Sequence, residues 1–122
     1  ANIGKYDEAL AAVDDALRLH SDDAQLHNER AWLLATCPDD EFRDGREALA
    51  SATRACELTK WKAWGFLDTL AAAQAECGEF DSAVETQQKA IDLAPDHERA
   101  DLKSRLDLYV AGKTYLDHPD SD

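Results

Sequence analysis

The stretch Leu67-Asp68-Thr69-Leu70-Ala71-Ala72-Ala73-Gln74-Ala75-Glu76-Cys77-Gly78-Glu79-Phe80-Asp81, continued through Ala83, Val84, Ala90, Ile91, Leu93 and Pro95, decides how the rest of the chain is read. Leu67 and Leu70 lead into a run of alanines, residues that lose little entropy in a helix. Gly78 then stops that helix, because glycine reaches the left-handed conformation of a helix end without the steric cost of a Cβ. Ala83 and Ala90 give the following helix small residues on one face. Backbones that approach closely need small residues at the approach, so the stretch predicts a tight antiparallel helical hairpin.

With Leu67, Leu70, Ala71, Gly78, Phe80, Ala83, Ala90 and Pro95 in these places, the stretch resembles a tetratricopeptide repeat, a helix–turn–helix unit of about 34 residues. Gly4, Tyr6, Ala9, Leu10, Val13, Ala16, Leu17 and Leu19 match Gly78, Phe80, Ala83, Val84, Gln87, Ala90, Ile91 and Leu93, with Ser21 at the place of Pro95. The resemblance implies an all-α, right-handed superhelix of antiparallel helix pairs over residues 1–112. Within it, 1–23 is the second helix of a truncated repeat, 24–60 and 61–96 are full repeats, and 97–112 is a C-terminal capping helix. Residues 113–122 are a polar tail, expected to be loose. Because the chain opens on Ala1 inside a repeat, it is expected to be a piece of a longer protein. The exposed remainder of the Tyr6, Leu10, Val13 and Leu17 stripe is then expected to invite self-association through the truncated N-terminal end.

Each helix carries its own signals. Asp22, with Gln25 three residues on, is the expected cap of a helix over 24–35 in which Ala31 and Leu34 are apolar. His27 and Arg30 depart from the repeat pattern, and imply either looser packing or polar groups turned into a groove. Residues 36–43 form a loop, since Pro38 cannot continue a helix. Asp44 caps the next helix, with Glu47 in capping-box spacing and Ala48, Ala52, Ala55 and Leu58 on its face. Ala9 and Ala48 stand 39 positions apart, about five beyond the period, which assigns an insertion to the Pro38–Arg43 loop. Ala48 and Ala83 stand 35 apart, about one beyond it, and the extra residue falls near Lys60-Trp61-Lys62. Asp96 is the expected cap of the last helix, with Leu102, Leu106 and Tyr109 inward, Asp101, Lys103, Arg105 and Asp107 towards water, and Gly112 at its end.

The combination Arg43-Asp44-Gly45, Trp61-Lys62, Leu67 to Ala73 and Leu106-Asp107-Leu108-Tyr109 with Gly112-Lys113 is similar to repeat segments near the C-terminal ends of large bacterial multidomain proteins, some of them serine/threonine kinases. Such segments follow many catalytic domains, so this likeness speaks to fold more than to activity.

The formal net charge is −13. Nucleic acid and anionic membranes both want Lys and Arg patches, so neither is an expected partner. No apolar run is long enough to span a bilayer. Cys37, Cys56 and Cys77 are an odd set without Cys-x-x-Cys spacing, which reads as structural thiols and, with them, a reducing, cytoplasmic compartment. His20, His27, His97 and His118 are scattered, and no phosphate loop, zinc motif or nucleophile elbow appears. An enzyme is not expected, and no cofactor or metal is implied.

A binding role is what the resemblance leaves. In stacked repeats the first helix of each pair lines a concave groove that holds an extended peptide or a helix. Spacing maps Gln25, Asn28, Trp32, Ala35 and Thr36 to that face from one helix, and Gly65, Asp68, Ala72, Ala75 and Glu76 from the next. Trp32 is the large aromatic there, readable as an anchor or as a packing residue, while Trp61 and Trp64 flank the junction between units. Asn28 alone survives of the set with which some family members clamp a terminal carboxylate, and Asp68 would repel one. The expected ligand is therefore a basic or neutral protein or peptide. A structural or oligomerisation spacer is the alternative, and thiol or metal chemistry through the three cysteines a further one.

Overall fold

The computed structural model describes residues 3–117. Among them the chain forms six α-helices and no strand: α1 (Ile3–Leu19), α2 (Ala24–Thr36), α3 (Gly45–Leu58), α4 (Trp64–Glu76), α5 (Phe80–Leu93) and α6 (Asp96–Val110). Each helix packs on the next, and α2 also reaches α4. The chain is thus a row of helical hairpins, α2 with α3 and α4 with α5, between α1 at one end and α6 at the other.

Local chemistry explains the boundaries. Asp44 accepts the Glu47 backbone N–H (3.1 Å) and starts α3 as expected. At α2 the cap is Asp23, which accepts the Leu26 N–H (3.2 Å), and not the expected Asp22. Asp22 instead pairs with Arg54 of α3 (3.1 Å). Asp96 is likewise not a cap. Pro95 holds the extended conformation of the N-cap (φ −67°, ψ 156°), so Asp96 becomes the first helical residue, where its charge faces the positive end of the helix dipole.

Three helices end in the same way. Gly78 (φ 81°) and Gly112 (φ 72°) adopt the left-handed conformation after α4 and α6. In each case the next residue reaches back, Glu79 N–H to the Gln74 carbonyl and Lys113 N–H to the Leu108 carbonyl (2.9 and 2.8 Å). Lys60 (φ 57°) takes this place after α3, with Trp61 N–H on the Cys56 carbonyl (2.8 Å), and Trp61 is itself left-handed (φ 62°). Two successive non-glycine residues in that region make the α3–α4 link the strained one among the described residues.

Alanine builds the contacts between helices. Ala31, Ala48, Ala52, Ala73, Ala83 and Ala90 are fully buried, with Leu34, Leu67, Leu70, Ile91 and Leu102 filling the space between backbones. Nearly every residue of α4 from Leu67 to Ala75 is buried, as an all-round apolar helix must be. Gly45 opens α3 against the end of α4. A Cβ there would stand 3.0 Å from Cys77 Sγ and 3.3 Å from Glu76 Cγ, so the close approach uses a glycine.

Three expectations about packing change. His27 and Arg30 do not turn into the groove; His27 Nε2 lies 2.8 Å from the Ser21 carbonyl. Arg30 bridges outward to Asp14 of α1 (2.9 Å) and to Glu47 and Ser51 of α3 (2.9 and 2.7 Å), so polar bridges add to the apolar contacts among these three helices. The α1 stripe is also well covered: Tyr6 and Val13 are buried, Leu10 and Leu17 half-buried. Phe42, from the loop between α2 and α3, supplies part of that cover, its ring 5.9 Å from that of Tyr6. The third change concerns residues 113–117, which fold back on the domain instead of hanging loose; residues 118–122 lie outside the described part.

Candidate binding groove

The site is assembled from α2, α6 and the segment that follows Gly112. Trp32 lies mid-helix on α2, half-buried and packed against the buried cluster. Four residues on, Thr36 is fully buried and donates its hydroxyl to the Trp32 carbonyl (2.7 Å). The last carbonyls of a helix have no partner within it. In α2 the Leu34 carbonyl takes the Asp44 N–H (2.9 Å), and the Thr36 carbonyl takes the N–H of Asp117 (2.7 Å).

Asp117 arrives there because the Gly112 turn reverses the chain. Between them, Tyr115 sets its ring 5.7 Å from Trp32, tilted by 39°. Arg105 of α6 stands over both rings, 5.9 Å from Trp32 and 5.1 Å from Tyr115, within the range of cation–π attraction. The carboxylate of Asp117 accepts the Tyr6 hydroxyl (3.1 Å). The segment after Gly112 is thereby held by a ring pair, one backbone hydrogen bond and one side-chain hydrogen bond.

Arg105 is fixed from beneath. Its Nε and Nη2 donate to the two oxygens of Asp68 (3.0 and 3.1 Å). Asp68 is buried on α4 and also accepts from Gln87 Nε2 (2.9 Å), whose second proton goes to the Leu102 carbonyl (3.0 Å). Burial pushes the Arg105 guanidinium down, but Asp68 beside it outweighs burial, and the net position is above the ordinary value. The planar fork matches a carboxylate bidentately, which a lysine could not do.

The sequence-mapped residues divide accordingly. Trp32, Thr36 and Asp68 come together, Asp68 as the buried support of Arg105 and not as a surface charge facing a partner. Gln25 is exposed near Glu29. Asn28 lines a separate hollow of about 290 Å³ with Ala9, Val13, Glu29, Trp32 and Leu33, and its buried Oδ1 lacks a partner among the described residues. Glu76 lies at the end of α4, bonded to Arg43 (3.0 Å), which also donates to the Cys37 carbonyl (2.7 Å) and pairs with Asp40. Arg105, expected to face water, instead joins Trp32 and Asp68.

The residues missed were Arg105, Tyr115, Asp117 and Tyr6. A signal existed for two of them. Arg105 stands three after Leu102 and four before Tyr109, on the apolar stripe itself. Tyr115-Leu116 is an apolar pair inside a polar tail.

The thiols are held in their neutral form. Burial raises Cys37 and carries Cys56 up to about 11; Cys77 is raised by burial and then by Glu79 and Glu76. A thiol so shifted is a poor nucleophile at neutral pH. No family model matches this chain, and no curated protein matches it.

Proposed function

We propose that the chain is a protein-interaction module of tetratricopeptide type, its hairpins stacked in a right-handed superhelix, with an extended protein segment as ligand on the face built around Trp32 and Arg105. One observation carries this reading. A stretch of polypeptide outside any helix, residues 114–117, is already seated there, its backbone N–H on an otherwise orphaned helix carbonyl and its aromatic ring against both Trp32 and Arg105. The pairing of α2 with α3 and α4 with α5, with α2 beside α4, supports the repeat architecture. An aromatic and an arginine are also the residue types that concentrate binding energy at protein interfaces.

The test is selection of ligands from a random-peptide library on the full chain, followed by titration against Trp32→Ala and Trp32→Phe. Trp32→Ala is expected to weaken selected ligands by about 1–3 kcal/mol, mostly through faster dissociation, while Trp32→Phe retains part of the affinity. Ligands that ignore both substitutions would move the binding face elsewhere. A library that yields none, with the chain folded, would sink the reading.

A further inference from the structure

The residues that hold segment 114–117 also specify what else fits there. We infer that the groove recognises an extended segment with an aromatic residue followed two positions later by a carboxylate, flanked by basic residues, and that Tyr115 and Asp117 occupy this site in cis as a competing ligand. This rests on the binding-module reading and adds its specificity.

Each element of the recognition follows from a contact. Trp32 and the Arg105 guanidinium that stands over it form a corner against which a ring packs, and a cation 5.1 Å from that ring's centre favours an aromatic over an aliphatic side chain. Two residues on, the Asp117 carboxylate accepts the Tyr6 hydroxyl at 3.1 Å, so an acid at that position gains a donor. Between these positions the Thr36 carbonyl demands a free backbone N–H at the acidic residue, which excludes proline there.

Basic flanks follow from charge. At −13 the domain repels a free acidic peptide, and tethering alone offsets this for its own segment. A separate ligand has no tether, so lysines or arginines around the aromatic–acid pair must supply the attraction. The seated segment is only half-buried from Thr114 to Asp117, which makes it displaceable. While it is seated, the apparent affinity for an outside ligand falls by the fraction of molecules that are open.

The experiment uses the full chain and the full chain with Tyr115→Ala and Asp117→Ala together. The probe is a fluorescent peptide carrying the sequence of residues 113–117 between flanking lysines, with a control peptide whose tyrosine is alanine. The double variant is expected to bind the probe at least about tenfold more tightly than the unaltered chain, and not to bind the control. In the unaltered chain the Asp117 amide is expected to be protected from hydrogen exchange and to lose that protection when the probe saturates.

Equal affinity of both chains for the probe would overturn the inference, as would a folded double variant that ignores it. Persistence of Asp117 protection at saturation would do the same without relying on any variant. A concentration-dependent dimer that exchanges these segments would replace the cis assignment with one in trans. Library ligands that need Trp32 but lack the aromatic–acid pair would leave the binding module standing and remove this inference alone.

Discussion

Arg105→Leu is expected to destabilise the domain far more than the loss of an ordinary surface charge. The side chains of Asp68 and Arg105 are 9% and 17% exposed, so the pair is largely withdrawn from water. An exposed ion pair contributes about 0–1 kcal/mol, whereas removing one member of a buried pair costs about 3–5 kcal/mol because the other charge stays buried. Arg105 keeps some contact with solvent, which places the expected loss near the lower end, about 3 kcal/mol. Gln87 would remain as one donor to the stranded carboxylate, its Nε2 2.9 Å away. With a urea slope of about 1–3 kcal/mol/M, the unfolding midpoint should fall by about 1–3 M. Asp68→Leu combined with Arg105→Leu should recover most of this, since an apolar pair can replace a buried ionic one at little cost. About 1 kcal/mol should remain for the acceptor that Gln87 loses. The assay is equilibrium urea unfolding of wild type, both single variants and the double variant. A loss below about 1 kcal/mol for Arg105→Leu, or strict additivity in the cycle, would refute the claim that a buried pair supports the groove.

Two further outcomes follow from the fold. Lys60→Gly should raise stability by up to about 1 kcal/mol in the same urea assay, because a left-handed lysine (φ 57°) carries a steric cost that glycine lacks, offset in part by glycine's entropy. For Cys56, the folded-state value of about 11 lies above the ordinary thiol value of 9.0, so its contribution is complete below about pH 9 and is lost as pH rises towards 11. Thermal unfolding followed from pH 8 to 11 should show that decline, and Cys56→Ala should flatten it; an unchanged slope would mean that other groups, such as the raised Tyr109, govern the alkaline limb.

The helices were legible from local rules because local rules decide them. Gly78, Gly112 and Asp44 act within a turn or two of their own positions, and the alanine spacing of α3, α4 and α5 reports a periodicity that every helix shares. The exchange of Asp23 for Asp22, and of Pro95 for Asp96, shows how far such rules reach: to the right helix end, with the cap misplaced by one residue. Gly112 is the instructive position, since its left-handed turn was readable but the direction in which it sends the chain was not. Only the packed structure brings Asp117 to Thr36, 81 positions away in sequence. The same holds for Arg105, whose charge argued for water while its spacing argued for the core. Asp68 settles that conflict, and it does so from another helix. A charge turns inward only where a distant partner compensates its desolvation, and no periodicity within one helix records that partner.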